Sequence, residues 1–292
     1  MEIKKMLFVT KFEEMGFDAL QSLLSLTKAA LNHVVFVNVI ERDKVAMHRG
    51  VGYKKKEEIR LRETANIRFI DWAEDLFEQG MEVGVYIPVG SLASEVVKAA
   101  QKEDADLIVI GRSDKGMLEK FYSGSDIIEI IRRTSIPVLV YKPIADNAFV
   151  LEKPFEKILL ATDWSAASLR AAEYLKGLKG VAQQIDVVYV AAKKELSGST
   201  VMEVQKTRKQ KRGELDKICD DFEAVGIQAR SHLYIGDPVE EIERAAREHQ
   251  ATMIVLGSSG KAAWVVKWIG SLPRQIAEES VYPTLIIPPE PG

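Results

Sequence analysis

The clearest candidate chemistry lies near the end of the chain. Gly257, Gly260 and the pair Gly270-Ser271 follow an apolar β-type run, Met253 to Leu256, in the spacing G-x2-G-x9-G-S. Glycines without a Cβ let the backbone approach a ligand and turn N–H groups toward it. A Gly-Ser entry to a helix adds free amides, the positive end of the dipole and a hydroxyl. This is the inventory of a phosphate pocket. A second candidate is Asp163, next to Thr162, at the end of another apolar run, Lys157 to Trp164. A carboxylate accepts hydrogen bonds from ribose hydroxyls or an exocyclic amine but repels phosphate, so it suits the nucleoside end of a ligand.

These residues can meet only if particular elements position them. Lys5–Thr10, Val34–Ile40, Glu82–Ile87, Asp106–Ile110 and Pro137–Tyr141 read as strands, each short, apolar and bounded by turn signals. Helical stretches alternate with them. One is long and charged, about 54–79, with an apolar side expected from Ile59, Ile67, Ile70, Trp72, Ala73 and Phe77. Ser91 is expected to cap another.

The same order then repeats. KILLATDW (Lys157–Trp164) restates KMLFVTKF (Lys5–Phe12), Ile185–Ala191 restates the second strand, and Ile227–Ile235 the third. Asp237-Pro238 opens the following helix as N-cap and first-turn proline. Gly257, Gly270 and Pro283 answer Gly111, Gly124 and Pro137. The chain is therefore expected to hold domains at 1–143 and 154–292 joined by a linker at 144–153. Alternating strands and helices predict right-handed parallel βαβ units. The expected fold is α/β: two repeated open, mainly parallel five-stranded sheets flanked by helices, binding ligands beyond the carboxyl ends of the strands where strand order reverses.

Composition narrows the class. The chain has 292 residues, 47% of them hydrophobic and 28% charged, with formal charge -3. That is enough length for two globular domains and gives no global attraction to nucleic acid or anionic membrane. No apolar run is long enough to span a bilayer. A single cysteine, Cys219, fits a reducing compartment, and a cytoplasmic location is expected. Gly260-Lys261 is not a P-loop, because Val255 stands where that motif needs glycine and Ala262 replaces its Ser/Thr. Gly50-Val51-Gly52 lacks a third glycine and a preceding strand. The basic runs Lys54–Lys56 and Lys206–Arg212 read as solvated helix faces. His33, His48, His232 and His249 show no metal-ligand spacing in sequence, and Cys219 reads as a helix-core thiol.

The G-x2-G-x9-G-S spacing, the ATDWS segment (Ala161–Ser165), the GDP helix entry and the order of elements resemble the universal stress protein family in a tandem, two-domain form. The resemblance implies a Rossmann-like fold of the adenine nucleotide alpha hydrolase-like kind, with ATP (or AMP/ADP) as ligand and Mg on the phosphates. It implies that Thr162 and Asp163 lie beside the adenosine and that the main chain at Val190 and Ala191 borders the adenine. It implies that Gly257, Gly260, Gly270 and Ser271 hold ribose and phosphates. In this family the fifth strand commonly pairs across a dimer, so the two domains are expected to form an intramolecular pseudo-dimer, with further homo-oligomers open.

The first half departs from the motif. Lys11 stands at the position of Asp163, and Asp114 at that of Gly260. An acid facing phosphate at ~4 Å costs about 4 kcal/mol at an effective dielectric of 20, against about 8 kcal/mol for a micromolar affinity. One competent nucleotide site, in the second half, is expected. Three functions remain in view: an ATP-binding stress-response regulator with little turnover, a slow ATP-hydrolysing or nucleotidyl-transferring enzyme, and a structural pseudo-dimer without ligand. Trp264, Val265, Val266, Trp268 and Ile269 fit either a lid on their own domain or a contact surface.

Overall fold

The computed structural model describes residues 2–12, 15–45, 53–112, 124–142, 153–192, 200–259 and 269–290. The main strands are apolar almost throughout where both of their faces are covered, and more polar and partly exposed at the two edges of the sheet. In the first half they are β1 (Lys5–Val9), β2 (His33–Val37), β4 (Glu82–Tyr86), β6 (Leu107–Gly111) and β7 (Val138–Tyr141). In the second they are β8 (Lys157–Ala161), β9 (Gln184–Ala192), β10 (Gln228–Gly236), β11 (Met253–Gly257) and β12 (Thr284–Ile287). Two short strands, β3 (Ile40–Glu41) and β5 (Val89–Gly90), pair apart from the main sheet.

All ten main strands form one sheet, in the order β10-β9-β8-β11-β12-β7-β6-β1-β2-β4. Each half is parallel throughout. They meet where β12 and β7 run antiparallel, with Leu285 opposite Leu139. The expected edge at each fifth strand is thus covered by the other half. Because the halves run in opposite directions, the carboxyl ends of their strands lie on opposite rims of the sheet.

One face carries α1 (Phe17–Leu23), α3 (Lys55–Glu78), α6 (Ala166–Lys176) and α7 (Val201–Ala224), whose buried side chains share a core. The other carries α4 (Leu92–Lys102), α5 (Gly124–Arg133), α8 (Pro238–Glu248) and α9 (Ser271–Glu279). The four-residue α2 (Arg42–Val45) lies between β3 and α3. In the second half the chain moves from β8 through α6 to β9, then returns through α8 to β11 on the other side of β8. Strand order therefore reverses between β8 and β11.

The repeat is also written in the backbone. Phe12 (φ 70) and Trp164 (φ 59) both adopt the left-handed conformation after the first strand. In each case a threonine hydroxyl accepts the amide, from Phe12 to Thr10 at 2.7 Å and from Trp164 to Thr162 at 3.2 Å. Such a turn compensates strain that a bulky residue otherwise disfavours.

Two expectations need correction. The buried stripe of α3 is Ala65, Phe69 and Leu76, with Trp72 packed against it, whereas Ile59, Ile67, Ile70 and Phe77 are exposed. Both sets repeat on one face of a 3.6-residue helix, on roughly opposite sides, and it is the face of Ala65, Phe69, Trp72 and Leu76 that meets the sheet. Ser91 does occupy the cap position of α4, but its hydroxyl accepts no capping bond. Asp237 does cap α8, accepting from Val239 N–H at 3.0 Å and Glu240 N–H at 3.3 Å. The linker at 144–153, Lys153 apart, lies outside the described residues, as do Asp114 and the segment 260–268.

Polar contacts reinforce the junction. Lys142 is buried and donates through Nζ to the carbonyls of Ile276 (3.3 Å) and Ser280 (2.5 Å). Arg112 Nη1 donates to Ala277 O at 2.9 Å. Two cations of the first half thus serve the negative, carboxyl end of α9 in the second.

Candidate functional site

A cleft of about 450 Å³ opens where strand order reverses, at the carboxyl ends of β8, β9 and β11 and the start of α9. Thr162, Asp163, Val190, Gly257, Gly270 and Ser271 all line it. Of the sequence candidates, Ala191 is buried beside it and Gly260 lies outside the described residues. Its size is that of a site for a small organic ligand. A larger groove of about 580 Å³ runs between α7 and β10 beneath Arg208, Lys209 and Arg212. That groove lies along a strand edge and gathers no strand ends or helix start.

The loop after β8 is self-supporting. Thr162 Oγ1 accepts from Trp164 N–H and donates to Ser168 Oγ at 3.2 Å. Ser165 caps α6, accepting from Ser168 N–H at 3.3 Å, while its own hydroxyl donates to Ser259 O at 3.1 Å. Asp163 is half-buried, and its Oδ1 accepts from Ser165 N–H at 3.0 Å. Thr162 therefore shapes the wall with a hydroxyl already engaged, whereas Asp163 brings a carboxylate to the cleft from a fixed turn.

The main chain of β9 supplies the next wall. Thr162 N–H donates to Val188 O at 2.9 Å, the last rung between β8 and β9. In a parallel ladder alternate residues face the same neighbour, so Val190 turns its N–H and C=O to the side where β8 has ended. Ala191 faces the other way, toward β10, in register with Ile235. Of the two expected adenine-bordering residues, only Val190 presents its main chain to the cleft.

The opposite wall is the start of α9. Gly270 is its N-cap, with no side-chain capping bond. Gly270 N–H is spent on Ser258 O at 2.8 Å, while Ser258 N–H donates to Ile287 O at 2.8 Å, so the two ends of the glycine loop are clamped to the sheet. First-turn amides have no intrahelical partner. Ser271 and Leu272 offer theirs to the cleft, and Pro273 has none. Gly257 lines the cleft and also serves packing: a Cβ there would lie 2.6 Å from Ser168 N and 2.7 Å from Ala167 C. The missing side chain admits the start of α6.

Ser168, Ser259 and Leu272 also line the cleft and were not singled out from sequence. Ser165-x-x-Ser168 at a helix start was a legible capping signal. Leu272 had only its place after Gly270-Ser271. Among the described residues lining the cleft, Asp163 is the one carboxylate and no histidine is present.

The first half does not reproduce this cleft. Lys11 forms an ion pair with Glu41 at 3.1 Å. Met15 packs where a Cβ on Gly111 would sit, taking the space that the start of α6 occupies in the other half. Asn38 Nδ2 donates to Thr10 O at 2.8 Å, bridging the gap between the first two strands. A smaller hollow of about 250 Å³ remains by Lys11, Asn38 and Arg68.

The family model for the universal stress protein family matches residues 2–142 and again 154–288. The chain belongs to the universal stress protein family. Universal stress protein MJ0577 of Methanocaldococcus jannaschii is 29% identical over 153 residues, which cover 48% of this chain and 94% of that protein. Among solved structures, a universal stress protein from Archaeoglobus fulgidus superposes with TM-score 0.72 at 21% identity, covering 99% of this chain and 97% of its own. A Pseudomonas aeruginosa protein, described as a putative universal stress protein, gives TM-score 0.66 at 19% identity and covers 98% and 93%. These likenesses extend over both halves, so the tandem arrangement is the fold of whole solved chains and not an accident of one sequence.

Proposed function

We propose that this chain is a stress-response regulator that binds one adenine nucleotide, ATP or AMP/ADP, in its second half and turns it over slowly or not at all. The observation that carries the reading is the pairing of two main-chain walls across one cleft. On one side Val190 presents an unclaimed N–H and C=O, the donor–acceptor pair that an adenine edge needs. On the other stand the first-turn amides of α9, which suit phosphate. Asp163 lies at the nucleoside end, with Gly260 completing the phosphate loop, and a divalent metal such as Mg2+ would ride on the phosphates. Binding without efficient turnover is favoured because no described cleft residue is placed as a base for water.

One competent site per chain follows from the same comparison. The first half replaces Asp163 by Lys11, which is already paired with Glu41, and bridges its strand gap with Asn38. The antiparallel junction of β7 and β12 supports an intramolecular pseudo-dimer of domains 1–143 and 154–292.

Calorimetry with Mg-ATP tests the reading on wild type, Asp163→Ala and Gly260→Asp, the last copying the acid of the first half. The expected result is one site in wild type, at least tenfold weaker binding in Asp163→Ala and severe loss in Gly260→Asp. Two equal sites, or none, would refute it.

A further inference from the structure

Asp186, His232 and His249 are far apart in sequence, yet the fold gathers them at the outer strands of the second half. The register Asp186 opposite Arg230 and Val188 opposite His232 puts Asp186, His232 and Tyr234 on one face of β9 and β10. That face is covered by α8, and His249 is the residue that ends α8. The Asp186 side chain is 1% exposed, and its Oδ1 lies 2.8 Å from His232 Nε2. The His232 and His249 rings lie with centroids 3.9 Å apart and their planes tilted by 30°. One ligand atom from each of the three residues lies within 4.8 Å of the others. We propose that these three side chains form a binding site for one divalent transition-metal ion, of the zinc class, separate from the nucleotide cleft.

The donor set is two imidazoles and one carboxylate, which suits a borderline ion such as Zn2+ and leaves at least one position for water. Bonds of about 2.0–2.1 Å in tetrahedral geometry place ligand atoms about 3.4 Å apart. Asp186 Oδ1 and His232 Nε2 are 2.8 Å apart and all three atoms lie within 4.8 Å of one another, so binding requires the two half-buried rings to adjust. The surrounding groups are those that orient metal ligands. Gln184 Nε2 donates to Asp186 Oδ2 at 2.7 Å, which leaves Oδ1 for the ion. The Tyr234 hydroxyl donates to Glu248 at 2.8 Å, so toward His249 Nε2, at 3.0 Å, it is an acceptor. That fixes the proton on Nε2 and leaves the Nδ1 lone pair to bind. On binding, His232 Nε2 must present its lone pair to the ion, so the ring takes the tautomer with its one proton on Nδ1 and stays neutral, while the ion replaces that proton as the partner of Asp186 Oδ1. The carboxyl end of α8 adds a favourable dipole. Arg230 is the opposing charge. The ion would tie the edge strand β10 to β9 and α8.

Untagged full-length protein, stripped with chelator, is titrated with Co2+ followed by visible absorption and then displaced with Zn2+, with calorimetry for stoichiometry. The expected result is one equivalent with intensified absorption and a Zn2+-dependent rise in Tm. Affinity should fall at least tenfold in His249→Gln and in His232→Asn, and less in Tyr234→Phe. Circular dichroism of the stripped variants confirms their fold. Because His249 ends a helix and is half-buried, its variant decides the case if His232→Asn misfolds. Absence of binding to wild type at about 100 μM metal, an affinity weaker than most specific sites, would overturn the proposal. So would unchanged stoichiometry and affinity in His249→Gln. Neither outcome depends on Mg-ATP binding, which is measured in parallel.

Discussion

Replacing Gly257 by alanine adds one methyl group at the point where β11 meets the start of α6. That methyl carbon would stand 2.6 Å from Ser168 N, 2.7 Å from Ala167 C and 2.8 Å from Ala167 Cβ, against an ordinary contact of 3.4–4 Å. Two of the three are backbone atoms, so no rotamer change relieves the clash, and the helix start must retreat by roughly 0.8 Å, at an overpacking cost of about 1–3 kcal/mol. Ser165 and Ser168 would move with it, carrying the hydrogen bonds to Thr162 and Ser259 that shape the cleft wall. The expected outcome is a fall in Tm of roughly 3–10 °C together with at least tenfold weaker Mg-ATP binding, read by calorimetry and thermal melting. Gly111→Ala is the matched control, since the new methyl there meets the Met15 side chain, which is flexible and yields at lower cost. Gly270→Ala meets Pro273 Cδ at 3.3 Å and Cγ at 3.4 Å, with Ser258 O at 3.8 Å, and should alter stability far less. Equal stability and equal nucleotide binding in Gly257→Ala and wild type would refute the assignment of Gly257 to helix packing at the cleft wall.

Other outcomes follow from single contacts. Val190→Pro removes the first main-chain donor that β9 turns toward the ended β8, and should weaken Mg-ATP binding by about tenfold or more, the value of a lost hydrogen bond in a desolvated site; unchanged calorimetric affinity would dismiss the adenine-edge role. Lys142→Met removes the buried ammonium that serves Ile276 and Ser280, and should cost about 1–3 kcal/mol in denaturant unfolding. Cys219 is buried, and desolvation followed by the charges of Asp216 and Glu223 pushes its thiol up to about 12. The native protein should therefore resist a thiol reagent at pH 8 until unfolded. Because the unfolded thiol ionises first, this one group should lower stability as pH rises from about 8.5 toward 12, and rapid native-state labelling would contradict its place in the α7 core. Asp237→Ala deletes the cap of α8 and should cost about 0.5–2 kcal/mol by thermal melting.

Much of this was legible in sequence, because both periods of the pattern were strong. Runs such as Lys157–Ala161 and Met253–Gly257 could be only central parallel strands, and their repetition located two copies of one fold. The glycine spacing pointed to the cleft for sound reasons, but it did not reveal that Gly257 also admits the start of α6. Likewise Val190 and Ala191 were equivalent as letters. Only the ladder shows that one faces the ended strand and the other its paired neighbour. The exposed isoleucines of α3 were misassigned because an apolar residue carries no mark of which helix face it occupies. The Asp186, His232 and His249 cluster was invisible as spacing, since a strand register and a helix end bring it together.

The antiparallel junction explains how two copies of one fold could diverge in use. Leu139 and Leu285 sit opposite each other at the centre of a ten-stranded sheet, so each half needs the other's edge whether or not it holds a ligand. The carboxyl ends of the two sets of strands point to opposite rims, so filling one crevice does not disturb the other. In the first half Met15, Asn38 and the Lys11–Glu41 pair stand at the positions that form the cleft walls in the second, while the strands beneath keep their register. The junction therefore ties the fold of each half to the other whatever its crevice holds, and the cations at Arg112 and Lys142 give the first half a role in it. They hold the far end of α9, the helix whose opposite end faces the phosphates in the proposed site.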